Sequence, residues 1–254
     1  MEKELFTSLM RKASLSCFAV GIFAISSSVA QSVLEFLALD PITSALSAAM
    51  ISGSIDPLLL TQLSQVMSAY LLPTLVLLMV TLSLTIVFAF YSYKVGQAYE
   101  IGSGKIAGPS YVIMQLAAIP VLLASYQILG MLPQIIVDPT SVISQLLGII
   151  LIIGVGALLA LAFMFVFIIT FAIALHRMRI QTDISLFDTA MWLIIIAVIL
   201  TFLNSVFTSM GIPISIGDLF LQIGIITYGL ALSRAGRMGA VPKLLKDRSA
   251  TGES

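Results

Sequence analysis

The sequence predicts an all-α fold: a polytopic transmembrane helical bundle of about six spans, arranged as three hairpins. Three observations carry that prediction. Apolar residues fill 59% of the 254 positions and charged residues only 9%, where a soluble domain carries about 25% charged residues. A chain so poor in polar side chains cannot cover a core in water, whereas in a bilayer the apolar surface is the outer one. Apolar runs also recur at or above the roughly 20 residues that a helix needs to cross the hydrocarbon. Finally, the Lys and Arg residues fall into four clusters, and the stretches 13–93, 106–176 and 180–233 between them hold neither. Each stretch is long enough for a helical hairpin that leaves one side of the membrane and returns to it.

The six runs are Ala13–Leu37, Tyr70–Tyr93, Pro109–Leu132, Leu146–Leu175, Ala190–Phe207 and Ile216–Ser233, the last short and starting close to Asp218. Lys3, Arg11 and Lys12 precede the first. Lys94 and Lys105 lie between the second and third, and Arg177 and Arg179 between the fourth and fifth. Arg234, Arg237, Lys243, Lys246 and Arg248 follow the sixth. The positive-inside rule places all four clusters, and both termini, on the cytoplasmic side of a cell membrane. The external segments then carry only acids: Glu35, Asp40, Asp56, Asp138 and Asp218. A rival reading treats Met1–Ala30 as a cleaved signal peptide, with Ser28-Val29-Ala30 as the small-residue site. Glu2 and Glu4 weaken its basic start.

Asp56-Pro57 and Asp138-Pro139 are helix-start signals, since Asp caps and Pro suits the first helical position. Each opens a long apolar run, ending in Tyr93-Lys94 and His176-Arg177 respectively. The starts and the ends are separated by nearly the same offset, which suggests an internal repeat of 56–94 and 138–177. Helices of that length exceed a hydrocarbon core of about 30 Å at about 1.5 Å per residue, so they are expected to extend beyond the membrane, mainly externally. In the first, Leu59, Leu63, Val66, Met67 and Tyr70 share one face, and Pro73 is a candidate kink. The segment Leu39–Ile55 reads as an external irregular stretch, either a loop over the extensions or, at Thr43–Met50, an interfacial helix. Gly96–Gly108 and Met178–Phe187 read as cytoplasmic links, the former a flexible glycine-rich connection around Lys105. Thr208–Gly217 is the shorter external link. Residues 1–233 thus form the transmembrane domain and 234–254 a basic cytoplasmic tail, whose charges would attract anionic headgroups.

Chemistry-bearing patterns are sparse. The span cores carry no Asp, Glu, Lys or Arg of the kind ion-driven transporters use, since Glu35 and Asp218 sit at span edges. Cys17 and His176 are single, which rules out an internal disulfide and a multi-histidine metal centre; no cofactor is expected. No G-x-S-x-G elbow and no phosphate-binding loop occurs. An enzyme is therefore not expected; a lipid-acting one would draw on Arg177, Arg179 and Asp183. With zero formal net charge, nothing points to nucleic acid.

Polar residues within the spans are uncharged: Ser27, Gln31, Gln115, Gln127, Asn204 and Gln222 are the main ones. They serve either as interhelical hydrogen bonds or as the lining of a path for a small neutral solute. Gly154, Gly156 and Ala160 offer a small-residue surface for close helix approach, within the bundle or between copies. The run Ala174-Leu-His-Arg-Met-Arg179, with Leu186-Phe187 and Ala190 entering the next span, resembles uncharacterised archaeal multi-pass membrane families. Leu9-Met-Arg-Lys-Ala13 has a similar character. That resemblance implies a fold and an origin but no activity. The expected function is a non-catalytic structural or accessory membrane subunit, whose partners are the bilayer and other membrane proteins or copies of itself. The alternative is a channel or facilitator for a small neutral solute.

Overall fold

A computed structural model of the chain describes residues 2–52, 57–137, 139–203 and 216–239. Six helices account for almost all of them: α1 (Glu2–Ser52), α2 (Pro57–Ala98), α3 (Gly102–Val137), α4 (Pro139–Thr182), α5 (Leu186–Phe202) and α6 (Ile216–Met238). No strand occurs among the described residues.

Five helices contain a stretch long and apolar enough to cross a membrane: Glu4–Ala30, Leu72–Ala98, Gly102–Ala124, Val142–Thr182 and Ile216–Met238. The expected sixth, Ala190–Phe207, falls on α5, whose 17 residues are fewer than the usual span of about 20. Its predicted end and most of the link Thr208–Gly217 lie outside the described residues. The two proline starts hold: α2 begins at Pro57 and α4 at Pro139, and they run for 42 and 44 residues. Proline has no N–H to lose at that position, and its fixed φ suits a first turn. Pro73 lies inside α2, which continues through it. The side chains from Leu59 to Tyr70 lie outside those described.

Two expectations about irregular segments are corrected. Leu39–Ile55, expected to be irregular, is helical through Asp40-Pro41 as far as the end of α1 at Ser52. Gly96–Gly108, expected to be a flexible connection, is mostly helix, and only Tyr99–Ile101 separates α2 from α3. The second link is equally short, Asp183–Ser185. Both turns put an acidic residue in the left-handed region, Glu100 at φ 54° and Asp183 at φ 59°. At the first, the Ile101 N–H reaches the Gly96 carbonyl at 2.8 Å and the Glu100 N–H reaches Gln97 at 3.1 Å. This paired closure satisfies two carbonyls that a helix end leaves orphaned. At the second, the Asp183 N–H reaches the Arg179 carbonyl at 2.8 Å. The Thr182 hydroxyl accepts from the Ile184 N–H at 3.4 Å.

The chain forms two compact units. Unit 1 comprises Met1–Ser26, Thr81–Ile113 and Ala162–Ser254; unit 2 comprises Ser27–Val80 and Met114–Leu161. Unit 1 is held by seams in which helix backbones touch. A β-carbon added to Gly108 would lie 2.7 Å from the Ala89 Cα, and one on Gly96 would lie 2.8 Å from the Gly104 carbonyl carbon. Real β-carbons do not approach that closely, so α2 and α3 meet only because these positions are glycine. Helix α6 uses two faces in the same way. Gly217 and Gly224 meet Ala197, Thr201 and Ile194 of α5, whereas Gly229 and Gly236 meet Cys17 and Met10 of α1. Within each pair the spacing is a heptad, which returns a helix to nearly the same face.

In unit 2, Gly156 of α4 packs against α3, where an added β-carbon would lie 2.6 Å from a Val121 methyl. Gly154 does not join that contact: it is exposed, with open space around it. Ala160 is half-buried. Within unit 2 the tight contact on this stretch is at Gly156, and Ala160 follows it one turn later on the same helix face. Two residues apart on a helix point in different directions, so Gly154 and Gly156 cannot serve one partner.

Candidate functional site

The interior of unit 1 is built from aromatic rings. Tyr111 of α3 stacks on Phe167 of α4 with centroids 4.7 Å apart, and Phe167 stacks on Phe171 at 5.2 Å. Phe88 of α2 meets Tyr111 and Phe171 edge-on, at 5.9 and 6.2 Å. Tyr228 of α6 meets Phe171 edge-on at 5.0 Å. Offset and edge-on pairs align the electron-rich faces and electron-poor edges of rings, beyond the apolar area they bury. All five of these rings are buried.

Many hydroxyls on the apolar helices are turned back onto their own helices. Ser16 donates to Ala13, Ser26 to Ile22, Ser110 to Ile106, Thr201 to Ala197 and Thr227 to Ile223, over 2.7–2.9 Å. Such bonds let an apolar span carry a hydroxyl without needing a neighbour. Gln222 behaves differently. It is buried on α6, and its Nε2 donates to the Tyr111 hydroxyl at 3.4 Å, far away in sequence. Its Oε1 is buried without a hydrogen-bond partner, as is the hydroxyl of Thr85 on α2.

Ser27 and Gln115 are half-buried and Gln127 is exposed. Asn204 and the side chain of Gln31 lie outside the described residues. Tyr111 and Thr85, by contrast, are not among the residues that the sequence singles out. The signal that could have found the seam beneath them is Gly104-Lys-Ile-Ala-Gly108, a four-residue glycine spacing that favours close helix contact.

One end of unit 1 gathers the basic residues. Phe6 of α1 meets the ring of Tyr99 in the first link at 5.9 Å. Gln181 of α4 donates to the Tyr99 carbonyl at 3.3 Å, and Thr7 donates to Gly236 of α6 at 3.4 Å. These contacts bring together the start of α1, both links and the end of α6. Arg11, Lys12, Lys94, Arg177, Arg234 and Arg237 are exposed there, and Lys105 is half-buried. Arg234 and Arg237 lie on the last turns of α6, which runs to Met238. Arg179 pairs with Asp188 of α5 at 2.8 Å. Burial lifts the Tyr99 phenol above its ordinary pKa. Asp183, grouped above with Arg177 and Arg179, instead closes the α4 turn. Among the described residues, no three His, Cys, Asp or Glu side chains are grouped as metal ligands.

No protein-family model, curated protein or solved structure matches this chain.

Proposed function

We propose that this protein is a non-catalytic structural or accessory subunit of a cell membrane, assembling with other membrane proteins or with further copies of itself. The observation that carries this reading is the way unit 1 is closed. Glycine seams bring backbones into contact, aromatic rings fill the interior, and hydroxyls satisfy carbonyls of their own helices. Such an interior fixes helix positions and leaves little side chain for chemistry. The orientation belongs to the same proposal: the basic end of unit 1 faces the cytoplasm, with both termini. So does an internal repeat, because positions related by one constant offset share burial. Phe88 and Phe171, Val95 and Met178, Ile101 and Ile184, and Ala107 and Ala190 are all buried. The likeness of Ala174–Arg179 to archaeal multi-pass families accords with this reading and adds no activity.

Extraction from native membranes in mild detergent, followed by sizing and mass spectrometry, tests the proposal. A reproducible partner or a defined oligomer is expected. A lone species that moves a solute across liposomes would overturn it. The buried Gln222–Tyr111 pair favours one second reading, a facilitator for a small neutral solute. Solute flux that is lost in Gln222→Leu would establish it.

A further inference from the structure

The Tyr111 level of unit 1 contains more hydrogen-bonding capacity than its protein neighbours use. Gln222 engages Tyr111 through one amide atom, while the other is buried and unpartnered. Turning the amide over exchanges the two atoms without removing the deficit. Thr85 is fully buried, at 0% exposure, and its hydroxyl is also unpartnered. Thr85 belongs to this level by the register of the α2–α3 seam. Ala89 touches Gly108; one turn further along each antiparallel helix come Thr85 on α2 and Tyr111 on α3. Phe88, on the same face of α2 as Thr85, meets the Tyr111 ring.

Leaving such groups unmet in an apolar interior costs about 1–3 kcal/mol each. We propose that unit 1 binds an internal water molecule at this level, bridging the Gln222 carboxamide and the Thr85 hydroxyl beside Tyr111. The chemistry restricts the guest. The free amide oxygen demands a donor, and the Thr85 hydroxyl can donate or accept, so the guest must carry at least one hydrogen-bond donor. Phe88, Phe167 and Phe171 surround the level with aromatic carbon, where an ion would lose its hydration without a counter-charge. A small neutral molecule remains, and water is the smallest. Buried waters of this kind typically make about three hydrogen bonds. This proposal is independent of whether the protein is an accessory subunit or a facilitator.

The test is hydroxyl-radical footprinting by a brief X-ray pulse on the full chain in lipid nanodiscs. Radicals form from bound water and oxidise the side chains beside it. Met178 is the control: it is buried, its thioether is more reactive than a phenol, and it lies nearer the basic end from which bulk water would enter. Tyr111 is expected to be oxidised several-fold faster than Met178, and Thr85→Val is expected to bring Tyr111 down to the Met178 rate. Equal rates in the unaltered protein would overturn the proposal. So would a Tyr111 rate that Thr85→Val leaves unchanged. Thermal unfolding of Thr85→Val gives a second readout that needs no labelling. Removing a hydroxyl that holds water lowers the melting temperature, whereas removing an unmet hydroxyl from a dry interior raises it.

Discussion

The α2–α3 and α4–α5 hairpins make the same turn with different materials. Each closes on an acidic residue in the left-handed region, Glu100 or Asp183, and follows it with a buried isoleucine, Ile101 or Ile184. One turn before and after, the chemistry diverges. The first hairpin has Gly96 against Gly104, backbone to backbone. At the corresponding positions the second has Arg179 and Phe187, and Arg179 reaches across to Asp188. The first is fixed by the absence of side chains, the second by an ion pair and a buried ring. A backbone contact tolerates no added atom, whereas an ion pair at a partly exposed site is adaptable and individually weak.

Substitutions at these contacts sharpen the contrast. The largest effect is expected for Gly108→Leu, whose side chain must displace the Ala89 backbone. It should cost about 3 kcal/mol or more, at the upper end of overpacking effects, and appear as loss of the folded species in thermal unfolding in detergent. Unit 2 offers an internal control. Gly156→Leu should destabilise by about 2 kcal/mol because it collides with Val121, whereas Gly154→Leu should leave the melting temperature unchanged. Equal effects at the two sites would mean that α3 and α4 do not meet at Gly156. Next come the turns. Left-handed backbone costs an ordinary side chain about 1–2 kcal/mol, but Asp is enriched there and Glu is not. Glu100→Gly should therefore stabilise by up to about 1 kcal/mol, and Asp183→Gly by less. The reverse order would mean that Asp183 has no special fitness for its turn. Smallest is Asp188→Asn, about 0.2–1 kcal/mol. Its effect should shrink as salt is raised, because exposed charges are screened.

Sequence reasoning finds features written locally. Pro57 and Pro139 announce their helices because proline has few other acceptable positions, and the basic clusters mark links because charge stays out of hydrocarbon. It misreads Leu39–Ile55 as irregular, whereas α1 runs through Asp40-Pro41 to Ser52, so an Asp-Pro pair does not by itself mark a helix start. It misreads Gly102, Gly104 and Gly108 as flexible, because glycine that permits a turn and glycine that permits a contact look alike until the partner is known. The polar level at Tyr111 is legible only in part. Gln222 is conspicuous as a glutamine in an apolar run, but its partner is on a helix remote in sequence. Thr85 looks like any other span hydroxyl.

The division of the chain into two units has a consequence for how it can be handled. The chain crosses from one unit to the other between Ser26 and Ser27, Val80 and Thr81, Ile113 and Met114, and Leu161 and Ala162. Every crossing falls inside a helix, in α1, α2, α3 and α4. A conventional domain is excised by cutting a linker, and a protease often finds the same place. Here each cut would sever a ladder of backbone hydrogen bonds and strip four donors or acceptors at every new end, in apolar surroundings that offer no replacement. The units are thus separable as packing but not as polypeptides.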